Sequence, residues 1–344
     1  MTNKKPILSI CIPVYNCAEY LEQALNAIMK QSIDNIEVIV YDGASTDHTS
    51  LLMSDYTNSW PFIKYYRAEK RGGIDADMAS CVSMANANYC WLFSGDDVMR
   101  QGSISQVLTE IESSHDVYVC KHTICNKNME LLHEHAVLNT DSPVEADFSI
   151  AEKRLKWFAS AATTEAFFSF MSSLIIKKST WDSGTLIPKF DGSCWAHVAR
   201  LFDISKTGLK VKYIPKILLD QRGDNDSFAD RGVVNRYRIG IEGYHNLANH
   251  FYGAESSEAF HIRRVIRNEF KLQSFLSAKI QTVRNPIKES SPLLDQLIKT
   301  AYGDKSLKNS LVIFLYKMFP YSIFLMARYF YRCYKKLNLR IKNA

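Results

Sequence analysis

Residues 90–99 read CWLFSGDDVM. Tyr89 to Phe93 is aromatic and apolar, the composition of a covered strand. Ser94 and Gly95 break the run, and Asp96 and Asp97 follow at once. Two carboxylates about 4 Å apart repel by roughly 4 kcal/mol at an effective dielectric of about 20. Solvent, a basic neighbour, a shared proton or a divalent cation has to offset that repulsion.

The segments on either side alternate in type. Ile7 to Val14 is an apolar strand ending at PVYN. Leu21, Leu25 and Ile28 give Ala18 to Lys30 a helical spacing, with Asn16 available as its cap. Glu37 to Tyr41 is a second strand, and a helix starts over Thr46 to Met53, capped by Ser45 or Thr46. Ile63–Tyr66 reads as strand, Asp75–Ala85 as helix, Tyr89–Phe93 as strand, Ser103–Ile111 as helix and Val117–Cys120 as strand. Such alternation predicts an α/β fold, a parallel sheet with helices on both faces. Ligands in such sheets bind beyond the carboxyl ends of the strands. PVYN, Asp42-Gly43-Ala44-Ser45 and Ser94-Gly95-Asp96-Asp97 are three such ends, so the aspartate pair belongs in a ligand crevice.

Residues 121–165 read as loops with short elements, and Phe168–Lys177 as another apolar strand. Cys194–Phe202 reads as helix, Val211–Ile214 as a short strand and DQRGDNDSF, residues 220–228, as a polar turn. From about residue 233 the pattern is helical. The expected organisation is a domain over 1–230, with halves of about 1–120 and 121–230, and a helical extension over 231–344.

The 344 residues are 47% hydrophobic, with a net charge of +6 that is too mild to argue for nucleic acid. No CxxC pair occurs among the 8 cysteines, which fits free thiols in a reducing cytosol. Cys120, His122 and Cys125 are close enough to suggest a metal site, but no second cluster completes four ligands. The N-terminus has no signal-peptide pattern, and no apolar run approaches the roughly 20 residues of a membrane-spanning helix.

PVYN, YDGASTD and SGDD, in that order, resemble the nucleotide-sugar half of a family 2 glycosyltransferase with the GT-A fold. NYCWLFSGDD, FSFMSSLIIKKSTWD, WAHV and QRGDNDSF extend the resemblance to bacterial O-antigen transferases of the abequosyltransferase type, over roughly residues 6–230. The physics agrees. Breaking a sugar–phosphate bond leaves negative charge on a diphosphate, which a divalent cation stabilises. Mg²⁺ takes one or two carboxylates plus phosphate oxygens, and Mn²⁺ suits the same donors. The resemblance implies that Asp97 contacts the metal and that Asp96 contacts the ribose or shares the metal. It implies that Asp42 accepts from a base N–H, although a strand-end Asx turn fits that residue too. Pro13, Tyr15 and Asn16 would wall the base, with core packing the alternative for Tyr15. Arg71 and Gly73 would approach ribose or phosphate, or form a plain loop, and Asp77 stands where the pattern often has asparagine. Arg222 would grip the diphosphate, unless Arg222, Asp224, Asn225 and Asp226 simply form a self-capped turn.

Inverting transfer needs a base for the acceptor hydroxyl. The acidic pair usual in the family is absent from GSCWAHVAR, which leaves His197 as first candidate and Asp191 as second. Residues 305–344 hold nine Lys or Arg and no Asp or Glu, interleaved with aromatics. As a helix this tail would lie on an anionic membrane surface, or pack on protein. The combined expectation is a metal-dependent inverting transferase. It would act on a polyprenyl-diphosphate-linked oligosaccharide in surface-polysaccharide synthesis, peripherally on the cytoplasmic face of a bacterial inner membrane. A sugar nucleotidyltransferase lacks its glycine-rich loop here, and a dehydrogenase lacks its GxGxxG. A noncatalytic lipid-surface protein remains as an alternative.

Overall fold

The computed structural model describes residues 5–31, 34–225, 231–286, 289–323, 325 and 326. Along the chain the first elements are β1 (Leu8–Val14), α1 (Ala18–Met29), β2 (Ile36–Asp42), α2 (Thr49–Ser59), β3 (Ile63–Arg67), α3 (Ile74–Ser83), β4 (Tyr89–Leu92), β5 (Val98–Met99) and α4 (Ser103–Glu110). Then come β6 (Val117–Cys125), β7 (Leu131–His135), β8 (Val144–Asp147), α5 (Ala151–Ser160), β9 (Leu174–Lys177), α6 (Lys178–Ser183), α7 (Ala196–Gly208) and β10 (Lys210–Arg222). The ten strands join one sheet in the order β3-β2-β1-β4-β9-β6-β10-β5, with β7 on β6 and β8 on β10.

Every residue of β1 is buried, as a strand covered on both faces requires. Its apolar side chains pack against Leu21, Leu25 and Ile28 of α1, the stripe that the helical spacing marks. β1 pairs in parallel with β2 on one side and β4 on the other. The chain therefore switches direction of winding at β1, and the crevice lies beyond its carboxyl end.

The sheet is mixed, where strict alternation predicts a parallel one. β9 runs antiparallel to both β4 and β6. Phe168–Lys177 is strand only from Leu174, because Phe168 turns back at φ 68° and Met171–Ser173 form a 3-10 turn. β10 is longer than its apolar core suggests and carries Asp220, Gln221 and Arg222 inside the ladder. Asp220 is tolerated there because Arg100 pairs with it at 2.7 Å and the Thr123 hydroxyl donates to it. The described cysteines form no disulfide.

The chain divides into two compact units, residues 1–225 and 226–344. The second contains α8 (Val233–Tyr252), α9 (Ser257–Glu269), α10 (Leu272–Arg284), α11 (Ser291–Tyr302) and α12 (Leu307–Met318). Its centre includes Tyr244, Leu247, Ile262, Phe275 and Leu297. Lys279 is buried there, donating to the carbonyls of Tyr316 at 2.8 Å and Phe319 at 2.9 Å, with its ammonium 3.5 Å from the Tyr316 ring centre. Among the described residues no helix is long and apolar enough to cross a membrane. Residues 327–344, the distal half of the basic tail, lie outside the described residues, as does Asp226.

Candidate active site

The ends of β1 and β2 are tied to each other before any ligand is considered. Gly43 N–H donates to the Val14 carbonyl at 2.9 Å. Asn16 sits at φ 51°, and its side-chain oxygen accepts from the N–H of Thr46 at 2.7 Å, while its own N–H donates to Ser45 Oγ at 2.9 Å. Asn16 thus cross-links the two loops and does not cap α1. Pro13 is buried within β1 opposite Tyr41, beyond the point where pairing with β4 ends at Cys11. Tyr15 carries the Arg71 guanidinium over its ring at 4.0 Å, which brings two expected donor contacts together as a stacked pair.

Asp42 is fully buried. It accepts from Ser45 N–H at 2.7 Å and from the Tyr65 hydroxyl at 2.5 Å, and Arg67 Nε lies 3.4 Å away. Both oxygens therefore already have protein partners. Asp77, in the first turn of α3, approaches from the other side. A side chain at Gly43 would collide with the Asp77 carboxylate, so this position admits only glycine at the observed spacing. Burial, with Asp42 adding repulsion, pushes the Asp77 carboxyl up to about 6, against the pull of Arg71. Gly73, at φ 89°, is the residue from which α3 starts.

The SGDD turn splits its two acids. Asp97 is 1% exposed, while Asp96 stays half-buried. Asp97 accepts from the Ser172 hydroxyl at 2.6 Å and from the Arg222 backbone N–H at 3.0 Å. Asp96 accepts from Ser94 Oγ and, at 2.8 Å, from the Asn225 side-chain amide. Burial and the neighbouring Asp96 charge raise the Asp97 carboxyl well above the usual range. Gly95 lets the turn approach closely, since a Cβ there would lie 2.8 Å from Val14.

The Arg222 charge acts on Asp97, yet its guanidinium forms no ion pair with either carboxylate. Its Nε donates to the Asp96 backbone carbonyl at 3.0 Å, its Nη1 to the Lys127 carbonyl and its Nη2 to Gln23 Oε1, and it stacks 4.7 Å from the Tyr20 ring. It is 7% exposed. This guanidinium braces the turn, and its hydrogen-bonding fork is spent within the protein. Among the described residues neither Asp96 nor Asp97 has an ion-pair partner. Two adjoining carboxylates with no ion pair among the described residues, offering only oxygen, fit a hard divalent cation such as Mg²⁺ or Mn²⁺.

The two candidate bases are placed differently. His197 is buried in the first turn of α7, its Nε2 3.0 Å from the Phe168 carbonyl, and burial pushes it down to about 4. It is neutral at physiological pH but sequestered. Asp191 is exposed in the loop that leads to α7. Asp75 of α3 reaches that loop as well, accepting from the N–H of Cys194 at 2.9 Å and of Ala196 at 3.2 Å. Burial is the main cause raising the Asp75 carboxyl, and Asp191 adds to it. Asp75 and Asp77 are two residues apart on a helix and so face opposite ways. The first turn of α3 spans from the Asp42 loop to the start of α7. Asp75, Tyr65 and Gln23 carry no motif, and Ser172, though inside FSFMSSLIIKKSTWD, is not singled out there by any pattern.

Comparison with known proteins follows the same outline. Residues 9–175 match the family model described as Glycosyl transferase family 2. Abequosyltransferase RfbV of Salmonella typhimurium is 32% identical over 91% of this chain and 89% of its own. Glycosyltransferase GlyG of Streptococcus pneumoniae is 25% identical over 31% of this chain and 35% of its own. Among solved structures, S. aureus TarS 1-349 in complex with UDP-GlcNAc superposes with a TM-score of 0.55 at 16% identity, covering 91% of this chain and 92% of that one. Mannosyltransferase PcManGT of Pyrobaculum calidifontis, in complex with GDP-Man and Mn²⁺, gives 0.52 at 15% identity over 94% and 84%. These structural likenesses establish the GT-A type of fold.

Proposed function

The chain belongs to glycosyl transferase family 2 and transfers a sugar from a nucleotide-sugar, and from that premise we propose a metal-dependent, inverting transfer to a hydroxyl of a polyprenyl-diphosphate-linked oligosaccharide. The observation that carries the reading is the Asp96–Asp97 pair at the carboxyl edge of the sheet, buried on one side and, among the described residues, held in no ion pair. Likeness to an abequosyltransferase over nine-tenths of the chain supports a deoxyhexosyl or hexosyl donor and a place in O-antigen or related surface-polysaccharide synthesis.

Asp96, the more accessible carboxylate, and Asp97 behind it would hold Mg²⁺ or Mn²⁺, which when bound supplies positive charge to the leaving diphosphate. The protein's own residues then divide the work. Tyr15 and the Arg71 stacked on it border the base and ribose region. Asp42 shapes that region through Tyr65 and Arg67, and Asp77 offers it a second carboxylate. Arg222 keeps the SGDD turn fixed by holding its backbone. Asp191 is the better-placed base, because a base has to meet the acceptor hydroxyl within hydrogen-bond reach and His197 is enclosed.

The tail reading is supported by α12. Leu307, Leu311, Phe314, Leu315 and Met318 are all exposed at helical spacing. An apolar stripe flanked by Lys308 and Lys317 suits the interface of an anionic membrane, where a lipid-linked acceptor would be found.

A panel of UDP-, GDP-, CDP- and dTDP-sugars, each with Mn²⁺ and with EDTA, tests the proposal. Transfer or slow hydrolysis with one base class, abolished by the chelator, is expected. Full turnover in EDTA would remove the metal from the mechanism.

A further inference from the structure

β7 folds back on β6 so that His135 lies directly opposite His122. Their rings stack with centroids 4.7 Å apart and 29° between planes. Glu165 enters from the 3-10 turn Thr164–Phe167, its Oε2 2.9 Å from His135 Nε2. One ligand atom from each of the three residues lies within 4.8 Å of the other two.

An ion pair accounts for His135 and Glu165 but not for His122. That imidazole is fully buried, and neither of its ring nitrogens has a hydrogen-bond partner. The Gln221 side chain acts on its charge without making a bond of acceptable geometry. Leaving a buried polar group unmatched costs about 1–3 kcal/mol.

We propose that His122, His135 and Glu165 bind one divalent transition-metal ion, with zinc preferred, at a site separate from the donor crevice. Two imidazoles and a carboxylate form a three-ligand zinc set with a fourth position open, at bond lengths of about 2.0–2.2 Å. Tetrahedral ligation at that length places ligand atoms about 3.4 Å apart, so small side-chain rotations close the present spacing. Imidazole favours zinc and its first-row neighbours over Mg²⁺, which prefers oxygen alone. Cys120 and Cys125, the neighbours that the spacing suggests, are not part of this set. On the β6–β10 ladder His122 pairs with Leu219, and Arg222 pairs with Cys125 three residues on. Three strand residues span about 10 Å, which separates this site from the anchor of Asp97. A bound ion would pin the β7 hairpin and the 3-10 turn to the edge of β6. The inference stands independently of the donor-site reading.

The test uses the full chain, stripped of metal and titrated with Zn²⁺ and with Co²⁺, the bound metal counted by mass spectrometry and Co²⁺ followed by its visible absorption. One equivalent per chain is expected in the wild type and in Asp97→Asn, with the tetrahedral Co²⁺ spectrum. His122→Phe and Glu165→Gln should each weaken Zn²⁺ binding by more than the about 10–100-fold typical of outer-shell changes. Substoichiometric zinc in the wild type, unchanged affinity in both variants, or loss of the Co²⁺ spectrum in Asp97→Asn would each overturn the site. Thermal melts report whether a variant is folded; if both variants unfold, the comparison of wild type with Asp97→Asn still decides.

Discussion

Asp97 accepts a hydrogen bond from the backbone N–H of Arg222 at 3.0 Å, across 125 positions of sequence. The acidic turn after β4 is therefore fastened to the end of β10, and Ser172 holds the other carboxylate oxygen. Burial and the Asp96 charge favour the protonated Asp97 carboxyl, and a cation that displaces that proton meets an oxygen already fixed in place.

Asp97→Asn separates charge from shape. The amide oxygen can still accept from Arg222, and the Ser172 hydroxyl can turn to accept instead. We expect kcat/KM to fall by about 10²–10⁴, on the order of several kcal/mol of leaving-group stabilisation, with little loss of melting temperature. The Asp97 carboxyl is raised in the folded state, so its ionisation opposes folding and metal-free stability falls as pH rises through that raised value. Melts of the stripped protein across pH should show a slope that Asp97→Asn flattens.

Much of this was legible in the sequence, for a specific reason. β1, β2 and β4 are covered on both faces, so their apolar runs and the polar breaks after them announce strand and loop without tertiary help. The second half was harder. Phe167 and Phe168 are apolar because they fill the core beside α5 and α7, not because they are extended, and burial alone does not distinguish the two. Asp220–Arg222 looked like a turn because their partners, Arg100, Thr123 and the SGDD backbone, lie about a hundred residues away. The same distance hid Asp75, whose role depends on the amides of α7. Spacing pointed to Cys120 and Cys125 as companions of His122, while strand pairing brings His135 beside it and the 3-10 turn brings Glu165.

Asp191 and His197 are distinguishable by kinetics. Asp191→Asn should lower kcat by about 10²–10⁴ with donor KM nearly unchanged, the size of effect general-base removal produces. His197→Gln should leave kcat within about tenfold and lower the melting temperature instead, because it disturbs a buried imidazole bonded to the Phe168 carbonyl. The reverse pattern would return the base to His197.

Asp77 gives a pH-dependent stability with a defined sign. Its carboxyl is raised from 3.8 to about 6 by burial and by Asp42. The folded state therefore holds the proton more tightly, and stability is lost as pH rises from about 4 through about 6. Asp77→Asn removes that loss. It should stabilise the protein at pH 7 by about 1–2 kcal/mol, discounted for partial solvent access, and make no difference near pH 4. A gap between the two proteins that persists unchanged at low pH would show that Asp77 acts by packing.

Two metals of different preference make chelation a two-part experiment. EDTA should abolish transfer and also lower the melting temperature. Mg²⁺ or Mn²⁺ added back should restore transfer through Asp96 and Asp97, while Zn²⁺ alone should restore the melting temperature through His122, His135 and Glu165. Zinc binding contributes to stability as RT ln(1 + [L]/Kd), about 2.7 kcal/mol at a hundredfold excess over Kd. A melting temperature that responds to Mg²⁺ and not to zinc would place the stabilising ion in the donor crevice.

The exposed stripe of α12 can be altered without entering the core. Leu311, Phe314 and Met318 are each more than half exposed, so Leu311→Glu, Phe314→Glu and Met318→Glu together change mainly solvent-facing surface. Vesicle sedimentation with zwitterionic lipid alone and with added anionic lipid then separates the two forces. Each cation near an anionic surface contributes about 1 kcal/mol, and burying the apolar face contributes about 25 cal/mol per Å². Binding of the wild type should rise steeply with anionic lipid and fall with salt. The triple variant should bind at least about tenfold more weakly at every lipid composition, because removing the apolar stripe and adding three negative charges act in the same direction. A variant that melts like the wild type and binds equally well would shift the attraction to the remaining basic tail. A wild type that ignores the vesicles altogether would mean that this face of α12 meets protein.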